Sequence, residues 1–321
     1  MAQWSLSHCQ RKVNAPPVGV NKSSMSAATL DGRGAVGVPK VSKGLGAKVG
    51  WTMALDIEGC RTLVTGASSG IGAGLAEALA ERGAIVGICA RRADRLSDVV
   101  GRCMKHSPDS RMWVVNLADI NAVDQLAIDV QDAFGGVDLL VNNAGIPKRR
   151  QVTALDIDTI TAVMHVNYLS PIRLTMALLP QMVARRSGTI VNISSVAATL
   201  SAPGEAAYDA SKAALTAFSE AMAVDLWDTG IKVMVVYPGV IDTELFTLPD
   251  NDVPDLPVEA EPVSVCVDAI LAGLESGAAQ VYVPEWFHGV AASKAQDVGK
   301  FLEGTAAYVR EQRQKKEAQK A

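Results

Sequence analysis

Histidine and cysteine are too few and too scattered in this chain to build a metal centre. The 321 residues include four histidines and five cysteines, the latter at positions 9, 60, 89, 103 and 266. No CxxC pair or Cys/His cluster occurs, which excludes a zinc site of ordinary spacing and a disulfide framework, so no metal is expected. Dispersed free thiols suit a reducing compartment, and a cytoplasmic location is expected. Cys89 lies in an apolar run and reads as a small core residue. No apolar stretch reaches the roughly 18 residues of a membrane-spanning helix. No compact apolar segment near the start reads as a signal peptide. Basic charge is scarce where nucleic acid would need it. Residues 51–321 carry 23 Lys/Arg against 33 Asp/Glu. A phosphate backbone requires a basic face, so nucleic acid is excluded as the main partner.

What is present is apolar residue in ordinary supply. The chain is 49% hydrophobic and 20% charged, enough for a sizeable core. Residues 1–52 stand apart. The first 50 hold seven Lys/Arg and one acid, with Pro16, Pro17 and Pro39 and no helical period. They read as a disordered or non-native extension, with Met53 opening the domain; a targeting peptide is a second reading of this acid-poor stretch. The extension contains a decoy, Gly32-Arg33-Gly34-Ala35-Val36-Gly37. A phosphate-binding turn needs a strand before it and a helix after it, and the decoy has neither.

From residue 57 onward, short apolar runs alternate with helical periods. Strands are expected at 62–65, 85–90, 112–115, 139–142, 189–193, 232–236 and 280–283. Helices are expected near 71–82, 93–105, 120–134, 156–184, 208–228 and 262–276. Strands without polar alternation, each followed by a helix, imply a parallel sheet covered on both faces. Right-handed crossovers then leave a doubly wound α/β Rossmann fold, a seven-stranded and mostly parallel sheet. The catalytic domain is expected over 53–290, followed at 291–321 by a helix and a charged tail that frays.

The first strand runs into Thr65-Gly66-Ala67-Ser68-Ser69-Gly70-Ile71-Gly72, and a helix follows, which is the context the decoy lacks. Gly66 allows the tight turn, Gly70 a close backbone approach to a pyrophosphate, and Gly72 tight helix–strand packing. The helix N-terminus offers free N–H groups to phosphates. After the second strand, where an acid usually bonds the ribose 2′-hydroxyl, stand Ala90, Arg91 and Arg92. Two guanidiniums in place of a carboxylate favour NADP(H), with NAD(H) left open. Asn116, after the third strand, is placed to meet the adenine edge.

Tyr208 and Lys212 lie four residues apart, on one face of an expected helix. A free phenol has a pKa of about 10. A cation one turn away favours the phenolate, so the pair is expected to act as a tuned acid/base. A solvated helix face would present the same spacing.

Taken in order, Thr65-Gly-x-x-x-Gly-Ile-Gly72, Asn142-Asn143-Ala144-Gly145, Ser195, Tyr208-x-x-x-Lys212 and Pro238-Gly239 resemble the short-chain dehydrogenase/reductase family, in its single-domain subgroup. The resemblance covers about residues 57–285. It implies a hydride transfer between a nicotinamide cofactor and a carbonyl or alcohol. It implies that Tyr208 is the general acid/base, that Lys212 lowers its pKa and bonds the nicotinamide ribose, and that Ser195 orients the substrate oxygen. Choosing Ser194 instead would turn the side chain to the other face. Asn167 matches the family's relay asparagine. Asn142, Asn143, Ala144 and Gly145 match the turn behind the adenosine ribose. Pro238 and Gly239 match the loop facing the nicotinamide, and Thr243 the hydroxyl at its carboxamide. The sequence departs from the pattern twice. Asn116 stands where many relatives have aspartate. Ser69 stands where many NADP-using relatives have a basic residue, so the NADP reading rests on Arg91 and Arg92.

Residues 242–262, after the sixth strand, are expected to form a mobile lid. Their Leu245, Phe246 and Leu248 point to an apolar or neutral ketone, aldehyde or alcohol; their six acids from Glu244 to Glu261 equally suit a face in water. Helices 156–184 and 208–228 are long and apolar-faced, and the family forms homodimers or homotetramers through them. The competing reading is a nucleotide-binding sensor or scaffold that has kept the fold and lost turnover. An intact set of Asn167, Ser195, Tyr208 and Lys212 argues against it.

Overall fold

The computed structural model describes residues 54–252 and 259–318. The expected extension over 1–52 and the decoy at 32–37 therefore lie outside the described residues, as do Pro254 and Pro257 of the lid. Seven strands form one parallel sheet: β1 Arg61–Thr65, β2 Ile85–Ala90, β3 Arg111–Val114, β4 Leu139–Asn142, β5 Gly188–Ile193, β6 Ile231–Pro238 and β7 Gln280–Val283. Their order is β3-β2-β1-β4-β5-β6-β7. Each expected strand is found, with ends moved by at most two residues.

The helices are α1 Gly70–Glu81, α2 Ala93–Cys103, α3 Ile120–Phe134, α4 Ile157–Met164, α5 Ser170–Arg185, α6 Ala197–Leu200, α7 Ala206–Asp225, α8 Val263–Ser276, α9 Phe287–Gln296 and α10 Val298–Ala318. They cover both faces of the sheet, as doubly buried strands require. In β1, Val64 packs with Leu75, Leu79, Leu96 and Ile270 in one core. Its neighbour Leu63 packs with Leu126, Leu174, Leu178 and Met222 in the other. The alternation follows from side chains pointing to opposite faces of a strand. Cys89, fully buried in β2, belongs to the second core.

Crossovers run one way from β1 to β3 and the other way from β4 onward. The switch lies between β1 and β4, where a crevice opens outside the carboxyl ends of the strands. One expectation is corrected here. The helix expected at 156–184 is interrupted by a π turn, His165–Leu169, between α4 and α5. Within the expected C-terminal stretch 291–321, the chain is helical in the end of α9 and in α10, Val298–Ala318. Among the described residues, no helix is long and apolar enough to cross a membrane.

Candidate active site

At the crevice, Thr65 locks β1 to the end of β4. Its Oγ1 accepts from the backbone N–H groups of Asn143 (2.9 Å) and Ala144 (3.1 Å) and donates to the Val141 carbonyl (3.3 Å). Asn143 Nδ2 in turn donates to the Thr65 carbonyl at 2.9 Å. The first glycine of the turn has φ +68°, and a Cβ there would stand 2.7 Å from the Ala144 Cα. A Cβ on Gly72 would meet Asn143 Nδ2. Both positions thus demand glycine for local packing. Gly70 turns through φ +57° beneath the Thr243 methyl. The turn opens into α1, whose N-cap Ser69 makes no side-chain cap bond. The first N–H groups of α1 and the Ser68 and Ser69 hydroxyls form a cradle of the kind that fits a pyrophosphate.

Arg92 reaches back over this cradle. Its guanidinium donates to Ser68 Oγ at 3.0 and 3.2 Å and to Ser69 Oγ at 2.7 Å. The remaining Nη1 pairs with Glu244 Oε2 at 2.7 Å, and Arg95 pairs with the other oxygen of the same carboxylate. These two arginines hold the Glu244 carboxyl below its usual range. Neither Glu244 nor Arg95 was singled out by the sequence, since contacts about 150 residues apart leave no local signal. Arg91 and Asn116 line the same end of the cleft. Asn116 Oδ1 accepts from the Ala118 N–H at 3.2 Å, an Asx turn that fixes the side chain.

The cleft continues inward for a volume of about 600 Å³ to Ser195, Tyr208 and Lys212. Lys212 is 3% exposed. Its Nζ donates to the Ile193 carbonyl at 2.8 Å and lies 5.7 Å from the Tyr208 ring centroid. Burial pushes the ammonium down to about 8. Ser195 Oγ accepts from the Ala197 N–H (3.1 Å), donates to the Pro238 carbonyl (3.3 Å) and hydrogen-bonds Tyr208. Ser194 is turned away: its hydroxyl donates to the Lys212 carbonyl at 3.1 Å and pairs with Thr216 Oγ1 at 2.8 Å. The side-chain alternation expected for these two serines holds.

One expectation needs correction in this structure. The Tyr208 phenol is pushed up from its ordinary value, not down. Burial is the largest cause, the Glu205 charge adds to it, and the Ser195 bond and Arg149 oppose both. Desolvation penalises the anion more than the neighbouring charges favour it.

Asn167 is fully buried in the π turn. Its Oδ1 accepts from the Ile146 N–H (2.8 Å), and its Nδ2 donates to the Ile146 carbonyl (3.0 Å) and to Ser211 Oγ (3.0 Å). The side chain therefore staples the loop after β4 to α7. Gly145 lies in that loop, so close that a Cβ would come within 3.5 Å of Lys212 Nζ. Beneath it, Asn142 Nδ2 donates to Thr175 Oγ1 and Asn192 Oδ1, and Asn192 donates to Ser219 Oγ at 2.7 Å. Pro238, Gly239 and Thr243 line the wall opposite. Ala144 and Ile71 complete the cofactor set expected from the sequence, and every member except Thr65 and Gly72, which act behind the wall, borders the cleft.

The far wall was not foreseen. Phe301 and Thr305 of α10, with Phe287 and Val290 of α9, border the cleft. Phe301, Thr305 and Val309 recur every four residues, the spacing that sets them along one face of α10. The lid is tied down by consecutive cations. Lys148 and Arg150 pair with Asp250, and Arg149 bonds the carbonyls of Asp252 (3.0 Å) and Phe246 (2.9 Å). Asp250 and Asp252 therefore meet cations rather than water alone.

A family model described as short chain dehydrogenase matches residues 61–252. A crystal structure of a short chain dehydrogenase from Burkholderia cenocepacia, in complex with NADP, superposes with a TM-score of 0.67. It is 33% identical and covers 78% of this chain and 99% of its own. The short-chain dehydrogenase from Sphingobium yanoikuyae, in complex with NADPH, has the same TM-score at 30% identity, over 77% of this chain and 95% of its own. Among curated relatives, the Dehydrogenase/reductase SDR family member 7B of Mus musculus is 37% identical over 187 residues, 57% of this chain. The chain spans about 58% of that relative's length. The 3-oxoacyl-(acyl-carrier-protein) reductase FabG of Vibrio cholerae is 36% identical over 60% of this chain and 77% of its own length. With the glycine turn, the parallel sheet and the Ser195–Tyr208–Lys212 cluster on one crevice, these matches place the chain in the short-chain dehydrogenase family.

Proposed function

We propose that the protein is an NADP(H)-dependent oxidoreductase that interconverts a ketone or aldehyde and the corresponding alcohol. The observation that carries this reading is the convergence of Ser195, Tyr208 and Lys212 at the inner end of a cleft whose outer end is the glycine turn. Turn, cradle and arginine suit a dinucleotide: N–H groups and hydroxyls for the pyrophosphate, and Arg91 and Arg92 for a 2′-phosphate. The NADP and NADPH held by the two bacterial structures support that assignment. Lys212 and Asn143 would face the riboses, and Pro238, Gly239 and Thr243 the ring. When bound, the nicotinamide supplies the two-electron acceptor or donor.

The chain's own residues manage the proton. Burial keeps the proton on the Tyr208 oxygen at neutral pH, so in the reductive direction Tyr208 stands ready as the acid. Ser195 offers a second donor to the same substrate oxygen, where negative charge grows. Lys212, still mostly cationic at pH 7, lies under the ring where a phenolate would form and favours that anion. Asn167 holds the Gly145 loop against Lys212 and so fixes the ammonium. The reacting partner is a small carbonyl compound or alcohol. Its apolar part would rest on Leu245, Phe246 and Leu248 of the lid and on Phe301 of α10.

The test is Tyr208→Phe assayed with NADPH and a panel of ketones and aldehydes. Turnover should fall by about 10²–10⁴, the usual worth of a positioned acid. NADPH affinity should stay within a few-fold, because the phenyl ring keeps its place. A variant of full activity removes Tyr208 from the proposed role.

A further inference from the structure

Beside Tyr208, the wall of the cleft carries a charged pair that the proposed proton chemistry leaves unused. Arg149 follows β4 and is 3% exposed, and Glu205 precedes α7 by one residue; both border the cleft. Their nearest atoms, Arg149 Nη1 and Glu205 Oε1, are 3.8 Å apart. That gap is too long for a hydrogen bond. The other guanidinium nitrogens are occupied: Nε donates to the Asp252 carbonyl, and Nη2 to the carbonyls of Phe246 and Leu245. Nη1 has no hydrogen-bond acceptor among the described residues. The Glu205 carboxylate likewise has no donor within hydrogen-bonding reach among them. Burial pushes this carboxyl up in spite of the facing arginine, as expected of an acid short of donors. A guanidinium N–H on a buried arginine and a carboxylate that is 15% exposed, neither with a hydrogen-bond partner among the described residues and both bordering one cavity, leave room for a guest atom that satisfies both.

The chemistry of that atom is narrow. A carboxylate would please Arg149 and be repelled by Glu205. An ammonium would suit Glu205 and be repelled by Arg149. A ketone oxygen accepts from Arg149 but offers Glu205 nothing. A hydroxyl accepts with its lone pairs and donates with its proton, and so completes both partners through one oxygen. Such an oxygen, about 2.8 Å from each, fits off the axis of the gap. We infer that Arg149 and Glu205 form a hydroxyl-binding subsite, so that the preferred substrates are hydroxyketones in the reductive direction and diols in the oxidative one. The inference rests on the carbonyl–alcohol reading of the same cleft. The apolar residues opposite, Leu200, Leu248, Val290 and Phe301, would hold the remaining hydrocarbon.

The experiment compares acetophenone and its longer-chain aryl ketone homologues with counterparts carrying a hydroxyl at successive positions along the alkyl chain. Both sets are assayed with NADPH on the wild type and on Glu205→Ala. Sites built to hydrogen-bond a substrate hydroxyl reject the analogue that lacks it. At least one hydroxylated ketone should therefore exceed its parent in kcat/KM by about tenfold or more. In Glu205→Ala that ratio should collapse toward one, whatever the absolute rates. A wild-type ratio near one for every pair overturns the subsite while leaving carbonyl reduction standing. So does a ratio that survives in Glu205→Ala. If no ketone turns over, the carbonyl reading fails, and calorimetric binding of the same pairs to the NADPH-loaded proteins decides the subsite separately. Equal affinities within each pair overturn it, and a hydroxyl preference that Glu205→Ala abolishes supports it.

Discussion

Asp209, next to Tyr208, is a carboxylate that the fold holds at a cost. It is 9% exposed, and its Oδ1 finds no hydrogen-bond partner. Burial, helped by the nearby Glu205 charge and opposed by Lys294, pushes it up to about 8. The folded state thus prefers the neutral acid, while the unfolded chain ionises near 3.8. Between those values the folded state binds the extra proton, so stability falls as pH rises from about 4 to 8. Asp209→Asn removes the titration and keeps the shape. Its thermal midpoint should exceed the wild type's at pH 8, by the equivalent of roughly 1–3 kcal/mol, the usual cost of a buried unsatisfied group. The gain should fade toward pH 4. A difference independent of pH would show that Asp209 does not titrate in this range. At this scale the sequence was legible where chemistry recurs in a fixed local pattern: Tyr208 with Lys212, Ser195, the glycines of the turn. It was silent on Arg149, Glu205 and Arg95, whose meaning lies in partners dozens to more than a hundred residues away. It also misjudged the phenol, because a spacing of four residues reveals the cation but not the desolvation around it.

Elements convert those residues into a working crevice. The π turn is one such device. A regular helix over 156–184 would rotate Asn167 away from the loop after β4, and one wider turn brings its amide onto Ile146 and Ser211. Such bulges often sit at functional sites, and apolar periodicity does not announce them. The second device is the short turn Glu244–Phe246 after β6. Through Glu244 it is bonded to Arg92 and Arg95, and through its carbonyls to Arg149. The lid is thereby linked to both ends of the cleft. A 2′-phosphate arriving at Arg92 would meet a carboxylate already there, a like charge that weakens its binding. Glu244→Gln should therefore tighten NADPH by roughly three- to tenfold at low salt and leave NADH within twofold, with the gap narrowing as salt rises. Fluorescence titration of both nucleotides checks this. Equal changes for the two would mean that Glu244 governs the lid alone and not the 2′-phosphate. The companion double variant, Arg91→Asp with Arg92→Ala, should weaken NADPH far more than NADH.

Across the whole molecule, the sheet was the easiest part to read. Its central strands are short, largely apolar and buried runs, and parallel sheets covered on both faces leave few alternatives once crossover hand is fixed. The C-terminal walls were harder, since α9 and α10 earn their place only by packing on a cleft that the other elements create. What the folded unit leaves uncovered bears on assembly. Leu169 and Met176 are 42% and 53% exposed. They are seven residues apart, two turns along one helical face. In α7, Val224 is 70% exposed. α5 and α7 are among the longest helices, and burying such side chains gives association about 25 cal/mol per Å² of apolar surface. A second copy presenting the same helices would cover them by two-fold symmetry, as most homo-oligomers do. Analytical ultracentrifugation at micromolar concentration should give a dimer or tetramer. Leu169→Asp combined with Met176→Asp should shift it to monomer. Because both side chains already meet water, circular dichroism should stay unchanged. A wild-type protein that sediments as a monomer, or a double variant that keeps its oligomeric state, would exclude this face as the contact and move the search to other surfaces of the sheet's helical cover.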